Sequence, residues 1–479
     1  MNRRHFIRAL GLAAAGYGLK PWAVLGQATG PNSLRNKPNF VFILIDDMGW
    51  KDVGCYGATV YETPHIDRLA TQGMRFTDAY ACPVCSPTRA SLMTGKSSAR
   101  LHLTEFIPQI GRKLPAGKLI PPDFRQMLPA EEFTWAEALK ANGYTCASIG
   151  KWHLGEEHGA EFRPENQGFD HVVLSHHHGY FNYFYPFIDT ERWPYAGPLA
   201  GNPGDYLPDR LTDEALKFVE ETRKPFFLFL SHWSVHSPYE APEAMVAKYR
   251  VRGLTGSKAV YAAMIESVDQ SVGRVMAKLA ELGLAENTVL VFMSDNGGTN
   301  ITSMAPLRGI KATLYEGGIR VPLIVRWPGH IKAGSTCRVP VISHDFYPTF
   351  LELAGLPLRP EQHRDGVSLA GLLKGRERLE PDRDALFWHY PHYHEPSGPC
   401  GAMRMGRWKL IQHFENGRVE LYDLESDIGE RHDLATQMPK RTREMTDRLE
   451  AWRRTVGAQM PVPAADVITP GNQQQIKQQ

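Results

Sequence analysis

Four short apolar runs stand out against a mixed background: Phe40–Ile45, Thr145–Ile149, Phe226–Leu230 and Val289–Met293. None alternates strictly between apolar and polar positions. Runs of this length bounded by turn signals predict strands buried on both faces of a largely parallel sheet. Between them, Thr134–Ala141, Asp213–Thr222 and Tyr261–Leu282 carry helical spacing. The alternation of strand and helix predicts the α/β class. Beyond about residue 385 the pattern changes. Arg404–Ile411 and Val419–Tyr422 read as antiparallel strands joined by the hairpin signal Asn416-Gly417, and Arg441–Val456 reads as a closing helix. The expected organisation is a main body over 37–385, a small C-terminal α+β domain with an antiparallel sheet over 386–460, and a loose tail over 461–479.

The residues that follow each run carry the chemistry. The first run ends in Asp46-Asp47, the second in Gly150-Lys151-Trp152-His153, the third leads into His232 and His236, and the fourth ends in Ser294-Asp295-Asn296-Gly297-Gly298. Ligands of open α/β sheets bind beyond the carboxyl ends of the strands. If the four strands are parallel, one sheet edge gathers three carboxylates, an amide, a lysine and histidines. Asp46, Asp47, Asp295 and Asn296 are all oxygen donors, a set that suits Ca²⁺ or Mg²⁺ rather than zinc.

Charge narrows the partners. The chain has 54 Lys and Arg against 52 Asp and Glu, a balance that points to neither a nucleic-acid surface nor a polybasic membrane patch. The slight basic excess sits in the first 26 residues, which hold Arg3, Arg4, Arg8 and Lys20 and no acid. Adjacent arginines before the uncharged stretch Ala9–Leu19 predict an export signal of the twin-arginine type over 1–26, too short to span a bilayer. No later run has the length of a transmembrane helix. Six cysteines are too few to frame an exported chain of 479 residues with disulfides.

The sharpest local signal is Cys85-Ser86-Pro87-Thr88-Arg89, continuing Ala90-Ser91-Leu92-Met93-Thr94-Gly95. Ser86 before Pro87 is a cap and first-turn pair, so Cys85 is expected just ahead of a helix N-terminus with Arg89 one turn on. That setting favours an anion or a polarised nucleophile. Cys82 and Cys85 also form a C-x-x-C, readable as a redox pair or half a zinc site, but no second such pair exists to complete structural zinc.

Together these segments resemble the type I, formylglycine-dependent sulfatases of the alkaline phosphatase superfamily. The resemblance rests on Cys85 through Gly95, on Pro38–Gly49, Thr63–Ala70, Gly150–Gly155, Ser294–Gly298, Arg308–Lys311 and Tyr315–Pro322, and on Leu421–Leu424 with Asp427 and Glu430. It implies an alkaline phosphatase-like sandwich with a large central sheet. It also implies that Cys85 is oxidised to formylglycine by a sulfatase-maturating enzyme. One Ca²⁺ is implied, bound by Asp46, Asp47, Asp295, Asn296 and the oxygen at position 85. The implied roles are Arg89 on the nucleophile, Lys151 and Lys311 on sulfate oxygens, His153 as base, and His236, ahead of His232, as acid toward the leaving oxygen. Two positions depart from the usual pattern: Ile310 stands where many relatives have a small residue, and Ala312 where many have Gly.

The function expected is hydrolysis of sulfate esters on a poly- or oligosaccharide by an exported enzyme, periplasmic or extracellular in a bacterium. A sulfated galactose or N-acetylgalactosamine unit is the candidate substrate. The alternatives are a phosphodiester or phosphonate monoester hydrolase of the same superfamily, and a catalytically silent carbohydrate-binding relative. The histidine- and aromatic-rich stretches Ser175–Tyr180 and Trp388–His394 offer His177, His178, His389 and His392 as substrate contacts.

Overall fold

A computed structural model describes residues 37–108, 117–175, 181–189, 191 and 199–464. The leader, His177, His178 and the end of the tail lie outside the described residues. β1 (Asn39–Ile45) is buried along its whole length, and its two faces enter different cores. Phe40, Phe42 and Leu44 join Trp135 and Phe350 on one side, whereas Val41, Ile43 and Ile45 join Leu211 and Val268 on the other. This double burial explains why the run does not alternate.

The main sheet contains β1, β2 (Met74–Phe76), β3 (Thr145–Gly150), β4 (His171–Val173), β5 (Phe226–Ser231), β6 (Thr288–Ser294), β7 (Leu323–Arg326) and β8 (Ser335–Cys337). Their order is β8-β2-β7-β6-β1-β5-β3-β4, and only β7 runs antiparallel to its neighbours. Register brings the carboxyl ends level: Ile45 is opposite Ser294, Leu44 opposite Ser231, and Gly150 opposite Ser231. The segments after β1, β3, β5 and β6 therefore emerge side by side. Helices cover both faces, including α1 (Trp135–Lys140), α2 (Leu207–Glu221), α3 (Gly256–Glu281) and α4 (Phe346–Leu353).

A second sheet of four antiparallel strands follows: β9 (Ala385–Tyr390), β10 (Cys400–Met405), β11 (Trp408–His413) and β12 (Val419–Asp423). Here the single strand expected over Arg404–Ile411 is divided. Gly406, at φ +56, turns the chain between β10 and β11, a conformation that glycine enters without a Cβ clash. α5 (Pro439–Val456) closes one face through Met445 and Leu449 against Met403, Leu410 and Leu421. The other face packs beneath the active edge, where Trp388 Nε1 donates to Ala81 O at 2.9 Å and its ring meets Tyr80 edge-on. The start of the expected loose tail is also paired, since Val462–Pro463 lies antiparallel to Leu119–Ile120.

Lys409 on β11 joins this sheet to the segment that carries Lys311. Its Nζ lies 2.8 Å from Glu316 Oε1 and 2.8 Å from Glu430 Oε1, with all three side chains fully buried. Glu316 also receives Arg320 Nε at 2.6 Å and the Tyr80 hydroxyl at 2.9 Å.

Candidate active site

The helix Cys85–Thr94 begins two residues earlier than the Ser-Pro pair suggests, with Val84 as its cap. Ser86 is not the cap, because its hydroxyl accepts the Ile107 N–H at 3.0 Å. Cys85 is thus the first helical residue, at the positive end of a helix whose ten residues are all buried. Three non-glycine residues of the site hold left-handed backbone: Asp47 at φ 62, His153 at φ 61 and Ala312 at φ 68. Such conformations cost about 1–2 kcal/mol each and concentrate at functional sites. At Ala312 a glycine would relieve the strain, which gives a physical reason for the glycine of the usual pattern and none for the alanine that replaces it here. Lys311 N–H and Ala312 N–H donate to Gly298 O and Pro83 O, both at 2.8 Å, and tie this loop to the β6 and Cys85 segments.

Asp46, Asp47, Cys85 and Asp295 each offer a ligand atom, and these atoms all lie within 4.8 Å of one another. Cys85 Sγ is 3.4 Å from Asp46 Oδ1 and 3.4 Å from Lys311 Nζ. Lys311 Nζ is also 2.6 Å from Asp47 Oδ1, and Lys151 Nζ closes on Asp46 Oδ2. Arg89 donates to Asp295 Oδ2 from Nε (3.2 Å) and Nη2 (2.8 Å), and from Nη1 to Lys151 O (2.8 Å) and Ser231 Oγ (2.6 Å). Asn296 Nδ2 donates to Asp47 Oδ1 at 2.8 Å, whereas its buried Oδ1 has no hydrogen-bond partner among the described residues.

Three buried carboxylates and an amide oxygen without a donor are the complement of a hard cation. The ammonium groups of Lys151 and Lys311 rest on the carboxylate oxygens that such an ion would share. The residues present therefore fit one Ca²⁺ or Mg²⁺. The six cysteines are all free, and Cys82 is not part of this cluster.

The charges act on one another. Burial opposes ionisation of Asp46, but Lys151, His236, Lys311 and Arg89 outweigh it and hold its pKa far below the usual carboxylate range. Asp295 is pushed up to about 6 by burial and by Asp46, against the pull of Arg89. Burial lowers the Lys311 pKa, yet Asp47, Cys85 and Asp46 raise it well above the ordinary value. Burial and Asp46 push the Cys85 thiol up to about 12, so an unmodified thiol here is a poor source of thiolate.

His236 Nε2 lies 3.7 Å from Asp47 Oδ2, and its Nδ1 meets Ser237 O at 2.6 Å. Its backbone is held by the Tyr183 hydroxyl, which donates to His236 O at 2.8 Å. His232 instead turns inward to Ser271 Oγ at 3.0 Å, and burial lowers its pKa to about 4. His153 Nε2 donates to Ile107 O at 2.9 Å, which leaves Nδ1 as the basic nitrogen of the neutral ring.

Two of the proposed substrate contacts are corrected. His389 is 3% exposed and bonds Gln459 O at 2.7 Å, and His392 is 1% exposed and bonds Thr104 Oγ1 at 2.7 Å. Both rings are spent on internal packing. Sequence reasoning missed Ser231 and Tyr183, which orient Arg89 and His236. The only available signal for Ser231 was a polar residue closing an apolar run.

Residues 38–356 match the family Sulfatase, and residues 310–455 match N-sulphoglucosamine sulphohydrolase, C-terminal. The chain is 31% identical to a sulfatase of Formosa agariphila, over 91% of this chain and 92% of that one. It is 36% identical to N-acetylgalactosamine-6-sulfatase of Sus scrofa, over 74% and 69%. The crystal structure of Ps i-CgsB in complex with k-i-k-neocarrahexaose superposes with a TM-score of 0.75 at 30% identity, covering 87% of this chain and 93% of that one. A mostly parallel sheet whose carboxyl edge collects acidic and basic groups around one cysteine defines a hydrolase of anionic esters. The chain belongs to the sulfatase family, of the alkaline phosphatase superfamily, and is a sulfuric ester hydrolase.

Proposed function

We propose that the protein removes sulfate from a sulfated carbohydrate and that its substrate carries a sulfated galactose or N-acetylgalactosamine unit. The observation that carries the reading is the cluster of Asp46, Asp47, Asp295 and Cys85, ringed by Arg89, Lys151 and Lys311. The similarity to N-acetylgalactosamine-6-sulfatase and to a structure bound to a carrageenan oligosaccharide supports the sugar class. An exported enzyme matured at Cys85 by a sulfatase-maturating enzyme and passed to the export machinery fits the leader sequence.

A sulfate ester resists attack because its sulfur is shielded by negative oxygens, so the site must neutralise charge, deliver a nucleophile and protonate the leaving alkoxide. Asp46, Asp47, Asp295 and Asn296 would hold the Ca²⁺, which supplies a Lewis acid against the sulfate oxygens. Formylglycine at position 85 supplies, once hydrated, an oxygen nucleophile that the high-pKa thiol does not. Arg89, fixed by Asp295 and Ser231, holds the oxygen at position 85 by charge-assisted hydrogen bonds. Lys151 and Lys311 leave their carboxylates for sulfate oxygens as substrate enters. His153, with its proton fixed on Nε2 by Ile107 O, accepts a proton at Nδ1. His236, whose Nδ1 proton is held by Ser237 O, would act as the imidazolium, favoured by Asp47, and deliver the proton on Nε2 to the leaving sugar oxygen as the S–O bond breaks. The oxygen at position 85 would bond to sulfur as the sugar oxygen leaves. Loss of the second hydroxyl's proton to His153 would then break the C–O bond, release sulfate and restore the aldehyde, which one water rehydrates. One water is consumed, and one alcohol and one sulfate are released.

The test is the mass of the tryptic peptide Phe76–Arg89 from protein produced with a maturating enzyme, paired with sulfate release from sulfated galactose and N-acetylgalactosamine. An aldehyde or its hydrate at position 85 together with sulfate release is expected. An unmodified thiol in protein that still releases sulfate would overturn the nucleophile assignment.

A further inference from the structure

A groove of about 810 Å³ lies along β8, the edge strand of the main sheet, and shares no residue with the acidic cluster. Six cations line it. Arg376 and Arg383 are neutralised by Glu380 and Asp345. Lys332, Arg338, Lys374 and Arg378 are exposed and have no ion pair among the described residues. The groove's own acids, Glu377 and Asp382, are exposed and pair with none of these cations. The adjoining surface differs: Arg404, Arg407, Arg441 and Arg448 are each matched by a carboxylate, Asp78, Asp423, Glu444 and Asp384 respectively. Unmatched cations gathered in one concavity, on a chain of nearly balanced charge, focus a positive field and draw in a polyanion.

The lining also says which polyanion. It contains no Phe, Tyr or Trp, so it lacks the stacking platforms on which nucleic-acid bases rest. It does offer the hydroxyls of Ser335 and Thr336 beside the cations, partners for sugar hydroxyls and sulfates. We propose that this groove is a second binding site for the sulfated glycan chain, separate from the reacting centre, which holds the polymer while the active edge works on one of its residues. The proposal rests on the carbohydrate sulfatase reading and extends it from the scissile unit to the chain. Holding the polymer raises the local concentration of sulfate esters at the active edge without any new contact there.

The test uses the full chain in a Cys85→Ala background, so that the probe is not consumed. Binding to chondroitin sulfate, to its desulfated form and to single-stranded DNA is measured across a salt series. The parent is compared with Lys374→Glu/Arg378→Glu and with Lys217→Glu/Lys224→Glu, an equal charge change at exposed positions outside the groove. The groove variant is expected to bind chondroitin sulfate roughly tenfold more weakly, with the slope of log K against log salt reduced by about one, while the control changes little. Equal weakening by the control, no weakening by either, undiminished binding of the desulfated polymer, or equally tight binding of DNA would each overturn the assignment. Sulfate release by the matured wild-type enzyme from a sulfated monosaccharide is followed separately. Release without groove-dependent polymer binding refutes the groove alone, and groove-dependent binding without release refutes the catalytic reading alone.

Discussion

Replacing Lys409 with Met removes the one cation shared by Glu316 and Glu430. The ammonium lies 2.8 Å from an oxygen of each carboxylate, and none of the three side chains reaches solvent. The methionine fills most of the volume, so the loss is electrostatic rather than a cavity. Breaking a buried pair by deleting one partner costs about 3–5 kcal/mol, because a charge is left uncompensated. Glu316 keeps Arg320 and Tyr80, so the burden falls on Glu430. Burial, with Glu316 beside it, already pushes Glu430 up to about 7 against the pull of Lys409. A folded pKa above the unfolded value means that stability declines as pH rises from about 4.5 through 7. Loss of Lys409 extends this decline to higher pH, so the variant should be weakest near pH 8 and recover toward pH 5, where Glu430 is protonated. Urea unfolding followed by circular dichroism at both pH values measures the effect, and Lys409→Met/Glu430→Gln should regain much of the loss. A penalty below about 1 kcal/mol, or one that does not change with pH, would refute the network as a keystone of the fold.

Asp295→Ala should abolish sulfate release and also destabilise the metal-free protein by about 3–5 kcal/mol, since Arg89 is left buried and unpaired; Asp295→Asn should keep most of the stability and none of the turnover, read by denaturation and sulfate assay together. Ala312→Gly should stabilise by roughly 0.5 kcal/mol, the relief of a left-handed backbone set against glycine's entropy, and Ala312→Val should destabilise; thermal midpoints decide. His236→Ala should lower kcat about 10²–10⁴-fold on a sugar sulfate and less on an aryl sulfate whose oxygen leaves unaided. His232→Ala should spare kcat and lower stability instead, because its ring serves Ser271.

The sheet and its active edge were legible because each strand run ends on a residue type that its buried neighbours exclude. Asp46 follows its apolar run directly, Lys151 and Asp295 follow theirs after one small residue, and parallel register brings them together. His389 and His392 were misread for the opposite reason. Their partners, Gln459 and Thr104, lie far away in the chain, and only tertiary packing reveals that the rings are enclosed. Gly406 lies inside the single strand expected over Arg404–Ile411, and the flanking pattern alone does not separate a two-residue turn from a continuous strand. The basic groove was hidden by the overall charge balance, which records the number of ions but not which of them are matched.

Cys85 is 2% exposed, and its surroundings are drawn from chain that extends from β1 to Lys311. If Cys85 is converted as proposed, the modifying enzyme would have to reach this side chain in the interval before residues 295–311 close over the helix. On that proposal a molecule that folds first would keep its thiol, because the side chain is then enclosed. For a chain that crosses the membrane already folded, as the proposed twin-arginine leader requires, that interval ends in the compartment of synthesis. The yield of active enzyme is then a race between folding and modification.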